Sequence, residues 1–564
     1  MTIYRNNDSA NGGFESRFLS ICRMATTVIQ CTFITLSLKI DFHDQKKSIF
    51  AKKGTLCYNV YMKTDLNTLP ENLKGVRIHF VGIKGTGMAA LVELLNKRGA
   101  VITGSDVSER FYTDEILENL GIKALSFDAA NISKDIQFVI HSSAYSAEKN
   151  PELAKAEELG IPTLLYSEAL GAYSALSYSA GICGVHGKTT TTGLTGTILK
   201  SVNLPSQALA GSIITSFGKS TCTMTSDSFV PGGKNYFVAE TCEYQRHFMA
   251  YHPNKIVLTS VESDHQDYYP TYADIRKAFV DYICLLPPYG QLIYCADDPG
   301  AVETAGLAKQ MRQDLDLIPY GSNASGPYKI SFGQVKNGKQ YFTIDSLGEC
   351  AICVPGEHNM RNATAAVALC CELIASDGKN VPEFHEKIKE GLLNFKGGKR
   401  RSEIIGNAKT PGGQDVIFID DYGHHPTAVK STLKGFRKFY KGHKIIVDFM
   451  SHTYSRTQAL LEEFADCFGA ADKVIINKIY ASARESAEFF SVTGKKLADH
   501  ARMRHSDVFY CGEFDEAAKK GLELLSEPSG SQYPDGYLFV TMGAGDNWKV
   551  GQMIFDELKR GKGN

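Results

Sequence analysis

The chain has almost no net charge. Its 61 lysines and arginines balance 62 aspartates and glutamates, leaving a formal charge of −1 over 564 residues. Without a basic surplus or a polybasic run, there is no long-range field to recruit nucleic acid. Long apolar runs are also scarce. The nearest approach is residues 24–38 (MATTVIQCTFITLSL), uncharged and preceded by Arg17 and Arg23. That stretch contains five hydroxyl side chains and a glutamine, and no small-residue cleavage site follows before Lys39. It is also too short to cross a bilayer, which takes about 20 residues. Regular cysteine spacing is missing: the 14 cysteines are scattered, which fits free thiols in a reducing cytosol rather than a disulfide framework. The lone C-x-x-C at Cys350 and Cys353 has no second pair and lies in a strand-like run, GECAICVPG. Neither zinc nor redox chemistry is expected of it. A strict G-x-x-x-x-G-K-[ST] phosphate loop is absent as well, because Ile182 stands where its first glycine belongs.

What is present is the composition of an ordinary soluble globular protein, 43% hydrophobic and 22% charged. The length calls for roughly three or four domains. Met62 opens a polar lead-in to the first strong strand, so the working protein is expected to begin there, with residues 1–61 disordered or dispensable. Three α/β blocks follow, at 62–176, 177–397 and 398–564. In the first, an apolar run at 76–81 leads to Gly82, Gly85 and Gly87, a helical pattern over 88–97, and a second strand ending at Asp106. This is a β-turn-α-β unit with an acid about twenty positions beyond the glycines. Gly82 and Gly85 are three apart rather than two, so the dinucleotide fingerprint is off register. Further strands are predicted at 138–141, before Ser142 and Ser143, and from Pro162.

The second block opens with GICGVHGKTTTT at 181–192. A glycine turn feeding a helix leaves backbone N–H groups aimed at one spot, where they cradle phosphate. Lys188 would add a point charge for the β- and γ-phosphates, and the Thr189 hydroxyl could hold magnesium. Strands predicted at 236–239, 255–259, 292–295 and 342–344 suggest a mostly parallel sheet. Glu240 ends one strand and Glu262-Ser263-Asp264-His265 follows another, within reach of a γ-phosphate. The third block opens after FKGGKRRSE, a linker signal. Its apolar strands end in polar or glycine residues (VIFIDDYGHHP, KIIVDFMSHTYSRT, YLFVTMGAGD). Ligands bind at the carboxyl ends of strands in open parallel sheets, so this polarity is itself a site prediction. His424 and His425 read as substrate contacts or proton shuttles rather than zinc ligands, for want of partners at ligand spacing. Arg456 is a bidentate donor for carboxylate or phosphate. Arg400 and Arg401 could be ligands or solvated linker charges.

Seven motifs in order carry a resemblance: HFVGIKGTGM, GVHGKTTTT, SDHQDYY, GEHNMRNATAA, DDYGHHP, SHTYSRT and GAGD, over roughly residues 76–548. The chain resembles the Mur ligases. The resemblance implies an α/β protein of three domains: a Rossmann-like UDP-binding domain, a central ATPase-like parallel-sheet domain, and a C-terminal dinucleotide-fold-like domain closing over both. It implies an ATP-dependent ligase joining L-alanine to the lactyl carboxylate of UDP-N-acetylmuramate through an acyl phosphate, in peptidoglycan precursor synthesis. It further implies a cytoplasmic monomer or homodimer with two Mg2+ ions and no membrane or nucleic-acid partner.

By that similarity Gly184, Val185, His186, Gly187, Lys188, Thr189 and Thr190 form the ATP loop. Thr189 and Glu240 hold one magnesium and His265 a second. His358, Asn359 and Asn362 make the adenine-side turn, with Arg400 also on the nucleotide. Gly82, Gly85, Thr86, Gly87, Asp106, Ser142 and Ser143 line the UDP site. Glu243, Tyr422, His424, His452, Tyr454 and Arg456 face the sugar acid and the amino acid. Lys188, His424, His452 and Arg456 are the expected catalytic groups. The chain departs from the pattern in four places. Lys84 replaces a glycine, placing a cation beside the UDP diphosphate, and Ser260 replaces an asparagine before the metal histidine. Cys242-Glu243-Tyr244-Gln245 replaces an acidic D-E-S-D run. Thr453 replaces an arginine, whose loss Arg456 or Arg484 could offset. Three other readings remain open: a related ligase adding a peptide or another amino acid, an NAD-dependent oxidoreductase, and a non-catalytic nucleotide switch.

Overall fold

The computed structural model describes residues 69–560 apart from 112, 226–233, 482–484 and 486. The expectations for residues 1–61, for a start at Met62 and for Arg484 lie outside the described residues. The first sheet is parallel, with β1 (Arg77–Val81), β2 (Val101–Ser105), β3 (Phe138–His141) and β4 (Thr163–Leu165) in the order β2-β1-β3-β4. Helix α1 (Thr86–Lys97) follows the glycine turn after β1 and buries a continuous stripe from Met88 to Leu95.

The central sheet has seven strands: β5 (Tyr178–Cys183), β6 (Ser206–Ile214), β7 (Ser220–Met224), β8 (Tyr236–Glu240), β9 (Lys255–Leu258), β10 (Gln291–Cys295) and β11 (Asp316–Tyr320). Their order is β11-β10-β9-β5-β8-β6-β7, parallel except for edge strand β7. Strand β5 lies inside the sheet between β8 and β9, and helix α2 (Lys188–Val202) leaves its carboxyl end. The strand predicted at 342–344 does not join this sheet. It belongs to a separate antiparallel sheet of β12 (Ile330–Lys336), β13 (Lys339–Ile344) and β14 (Gly348–Ile352). The reason is local: Asn337 (φ 53°) and Gly338 (φ 66°) form a two-residue turn with both residues left-handed, which sends the chain straight back on itself. Helix α3 (Glu357–Ser376) then returns to the central sheet.

The C-terminal sheet comprises β15 (Glu403–Lys409), β16 (Asp415–Asp421), β17 (His443–Met450), β18 (Lys473–Ile476), β19 (Val508–Tyr510) and β20 (Gly536–Gly543), ordered β15-β16-β20-β17-β18-β19 with only β15 antiparallel. Helix α4 (Pro426–Phe439) follows β16, and the short α5 (Tyr454–Ala459) follows β17. Residues of β16 feed separate cores, Ile419 on one face and Val416 and Phe418 on the other, as a sheet covered on both faces requires. The first two sheets instead share one continuous core. They are also pinned by buried Glu93 of α1, whose carboxylate accepts from Thr221 N (3.0 Å) and Oγ1 (2.6 Å) on β7. Among the described residues, no core cluster joins the C-terminal sheet to the other two.

Candidate functional site

A cleft of about 710 Å³ lies where the carboxyl ends of β5, β8 and β9 face those of β16 and β17. Its floor is the turn after β5. Gly184 has φ +131° and Gly187 φ +82°. A Cβ on Gly187 would stand 2.5 Å from Asn362 Oδ1, and one on Gly184 2.2 Å from Thr259 Oγ1, so both positions demand glycine. Val185 and His186 are held from the chain after β9: Ser260 O accepts from Val185 N (3.0 Å) and Ser260 Oγ from His186 N (2.9 Å). Ser260, where the resemblance expects asparagine, thus anchors the loop. Thr190 also lines the cleft.

Lys188 Nζ donates to Gly184 O (2.6 Å) and to Glu243 (2.9 Å). Burial works against the ammonium, but Glu243 overrides it and holds the lysine charged. Burial would raise the Glu243 carboxyl in turn, yet Lys188 and His265 bring it below the usual range. Thr189 Oγ1 donates to Glu240 Oε2 (2.8 Å), and His265 Nε2 lies 3.3 Å from Glu243. The groups expected to hold metal are therefore gathered beside the loop, with Glu243 packed between Lys188 and His265.

Across the cleft, Arg456 is buried and directs Nε (2.9 Å) and Nη2 (2.7 Å) at Asp264 Oδ1, while Nη1 donates to His452 O. Burial alone would lift the Asp264 carboxyl, but the guanidinium holds it far below the ordinary carboxylate range. His452 is pushed down to about 4 by burial and by Arg456, and burial and Arg456 keep His424 well below its usual value as well. Both imidazoles are neutral at pH 7. His424 is oriented through Nδ1 on Tyr422 O (2.9 Å). Thr453, where an arginine was expected, is the N-cap of α5. On the α3 side, Asn359 Nδ2 donates to Pro355 O (2.7 Å) and Asn362 Nδ2 to Asn359 Oδ1 (3.2 Å). Burial takes His358 down to about 4, and its Nδ1 is buried without a partner.

Three sequence expectations are placed differently. Arg400 is turned away from the cleft: it pairs with Asp420 (2.8 Å) and donates to Gly543 O (2.8 Å) and Gly545 O (3.0 Å). Its left-handed backbone (φ +56°) turns the next side chain inward, and Arg401 lines the cleft, 3.5 Å from Thr189 Oγ1. Tyr454 stacks on Phe490 at 5.8 Å and is not part of the lining, whereas Glu485, which accepts from Tyr454 N (2.9 Å), is. The Lys84 ammonium is held by groups of the protein. It donates to Val107 O (3.0 Å) and Glu109 O (2.8 Å) and pairs with Asp114 (3.3 Å), tying down the chain after β2.

The remaining first-sheet residues gather at that sheet's own carboxyl end, outside the cleft. Asp106 accepts from Lys84 N (2.7 Å) and Val107 N (2.8 Å). Gly82 abuts Ser142, which Ser143 follows, and a Cβ on Gly82 would meet the Tyr145 ring at 2.6 Å. Gly85 is the N-cap of α1, Thr86 its first residue, and Gly87 packs under Tyr166. The residues assigned through the resemblance omit Asp264, Glu262, His425, Arg401 and Glu485, all of them in or beside the cleft. The sequence motifs single out the first four without a role in the resemblance, and Glu485 has no signal. The run Glu262-Ser263-Asp264-His265 and the doubled His424-His425 were signals for three of them.

Fold and site together define a phosphate-loop α/β protein whose nucleotide-type site faces a separate C-terminal sheet. The family models of the Mur ligase catalytic domain, the Mur ligase middle domain and the Mur ligase glutamate ligase domain match residues 77–178, 182–370 and 400–545. The chain is 46% identical over 495 residues to UDP-N-acetylmuramate–L-alanine ligase of Treponema pallidum (strain Nichols), covering 87% of this chain and 98% of that protein. It is 37% identical over 484 residues to the protein of the same name from Desulfitobacterium hafniense (strain Y51), covering 85% and 99%. Among solved structures, UDP-N-acetylmuramate-alanine ligase MurC from Thermotoga maritima matches with a TM-score of 0.64 at 23% identity, over 86% of this chain and 99% of that one. A murein peptide ligase from Psychrobacter arcticus matches with a TM-score of 0.57 at 21% identity, over 86% and 99%. The chain belongs to the Mur ligase family. No helix among the described residues is long and apolar enough to cross a membrane.

Proposed function

We propose that this chain joins L-alanine to the lactyl carboxylate of UDP-N-acetylmuramate, converting ATP to ADP and phosphate, as a step in peptidoglycan precursor synthesis. The observation that carries the reading is the convergence on one cleft of Lys188, Glu240 and His265 from the central sheet with His424, His452 and Arg456 from the C-terminal one.

A carboxylate oxygen of the sugar acid attacks the γ-phosphorus, ADP leaves, and the acyl phosphate that forms carries a good leaving group. The alanine nitrogen then attacks the carbonyl carbon, and phosphate departs from the tetrahedral intermediate. The protein's part is positioning and charge neutralisation. Lys188 and the N–H groups at the start of α2 receive the phosphates, the lysine exchanging Gly184 O and Glu243 for phosphoryl oxygens. The hard oxygens of Thr189 and Glu240 fit Mg2+, and His265 would hold a second ion. Bound there, the metal supplies charge neutralisation at the transferring phosphoryl group. Arg456 faces the acid, and His424 or His452, neutral at pH 7, accepts a proton from the alanine nitrogen so that it attacks as the free amine.

The first-sheet residues Gly82, Gly85, Thr86, Gly87, Asp106, Ser142 and Ser143 take the UDP end. The domain limits that go with this reading are 62–176, 177–397 and 398–564. A cytoplasmic monomer or homodimer fits it. The test is phosphate release with ATP, UDP-N-acetylmuramate and, in turn, L-alanine, L-serine, glycine and a tripeptide. Turnover that requires the nucleotide sugar and favours L-alanine is expected. Preference for the tripeptide would move the assignment to a peptide-adding ligase, and release independent of any amino acid would overturn it.

A further inference from the structure

Beside the phosphate loop, the Glu262 carboxylate sits between two imidazoles whose side chains the ligase reading leaves without a role. His186 Nε2 contacts Glu262 Oε1, and His425 Nδ1 lies 3.7 Å from the same oxygen. The two rings are 5.0 Å apart between centroids. One ligand atom from each of the three residues lies within 4.8 Å of the others. The second carboxylate oxygen is oriented by the Thr427 hydroxyl at 2.9 Å. His425 is only 3% exposed, and its Nε2 is buried without a hydrogen-bond partner.

Two imidazoles and one carboxylate are the ligand set of an open zinc site, with a fourth position left for water or substrate. Imidazole nitrogen favours Zn2+, Ni2+ or Cu2+ over Mg2+, whereas the oxygen pair of Thr189 and Glu240 favours Mg2+. Ligand atoms of a tetrahedral zinc lie about 3.4 Å apart, and His425 Nδ1, which also accepts from Thr427 N at 3.4 Å, stands 3.7 Å from Glu262 Oε1.

We propose that His186, Glu262 and His425 form a binding site for a divalent transition-metal ion of the Zn2+ class, separate from the magnesium positions, which ties the C-terminal sheet to the phosphate loop. His186 precedes α2 and Glu262 follows β9 in the central sheet, whereas His425 caps α4. An ion bound to all three therefore opposes opening of the cleft and slows turnover.

Metal-free full-length protein without nucleotide is titrated with Co2+, whose tetrahedral complexes absorb visible light. The expected result is a visible band that survives excess Mg2+ and is abolished by Zn2+. Glu262→Gln and His425→Gln each weaken Co2+ binding by more than about tenfold, with folding checked by circular dichroism, while His265→Gln leaves the band in place. Zn2+ is expected to inhibit phosphate release at saturating Mg2+·ATP, reversibly with a chelator. Absence of the band in the wild type overturns the proposal, since that result needs no variant to fold. Loss of the band in His265→Gln also overturns it, by placing the ion at the magnesium position. None of these spectroscopic outcomes depends on which amino acid the enzyme uses.

Discussion

Replacing Asp264 with asparagine removes one charge from a direct tie between the central-sheet side of the cleft and the C-terminal-sheet side. The structure sets the magnitude. Arg456 spends Nε and Nη2 on a single carboxylate oxygen, at 2.9 and 2.7 Å, with side chains 6% and 5% exposed. Deleting one partner of such a buried pair leaves the other charge uncompensated and costs about 3–5 kcal/mol. The two residues come from different sheets with separate cores, so the cleft can relieve the stranded guanidinium by opening. The loss then falls on the closed, working form rather than on the fold. At about 3 kcal/mol, kcat/KM should drop by roughly a hundredfold, while Tm moves by only a few degrees. The assay is steady-state phosphate release alongside a thermal melt. A kcat/KM within a few-fold of wild type would refute the reasoning, because it would mean that the pair is not part of the working cleft. A Tm collapse matching the full cost would refute it differently, by making the pair a fold-level contact.

Lys188→Met keeps the stem but removes the ammonium. A loss of about a hundredfold or more in kcat is expected, with folding retained by circular dichroism; retained ligation would sink the phosphoryl-transfer role. His358 and His452 both sit at about 4 in the folded protein, below the unfolded value of about 6.5. Their contribution to stability is therefore complete above about pH 6.5 and is lost as pH falls towards 4, by up to about 1.4 kcal/mol per pH unit for each. Denaturant melts at pH 7 and 5 check this. His358→Gln and His452→Gln should each flatten the difference, and an unchanged slope in both would show that other groups set it.

The central-sheet half of the cleft was legible because its logic is local. A glycine turn, a lysine and a threonine are consecutive, and Glu240 and His265 follow apolar runs that end as parallel strands do. The parallel order of β8, β5 and β9 brings those ends together without any further information. The hairpin at Asn337-Gly338 was equally local, yet residues 342–344 were assigned to the wrong sheet because an apolar run carries no sign of its partner.

Contacts between sheets were the part that escaped. Arg400 and Arg401 are chemically equivalent neighbours, and a left-handed residue decides which enters the cleft. Lys84 is a cation in a ligand loop by sequence, but the carbonyls of Val107 and Glu109 take its ammonium. By itself the sequence determined the phosphate loop, the strand-end acids and histidines, the order of three α/β units and the family. Only the tertiary structure decided that Asp264 meets Arg456, 192 positions away, and that Glu262 lies between His186 and His425. Periodicity and turn chemistry act over a few residues. A charge pair across a cleft is set by how two sheets with separate cores face each other.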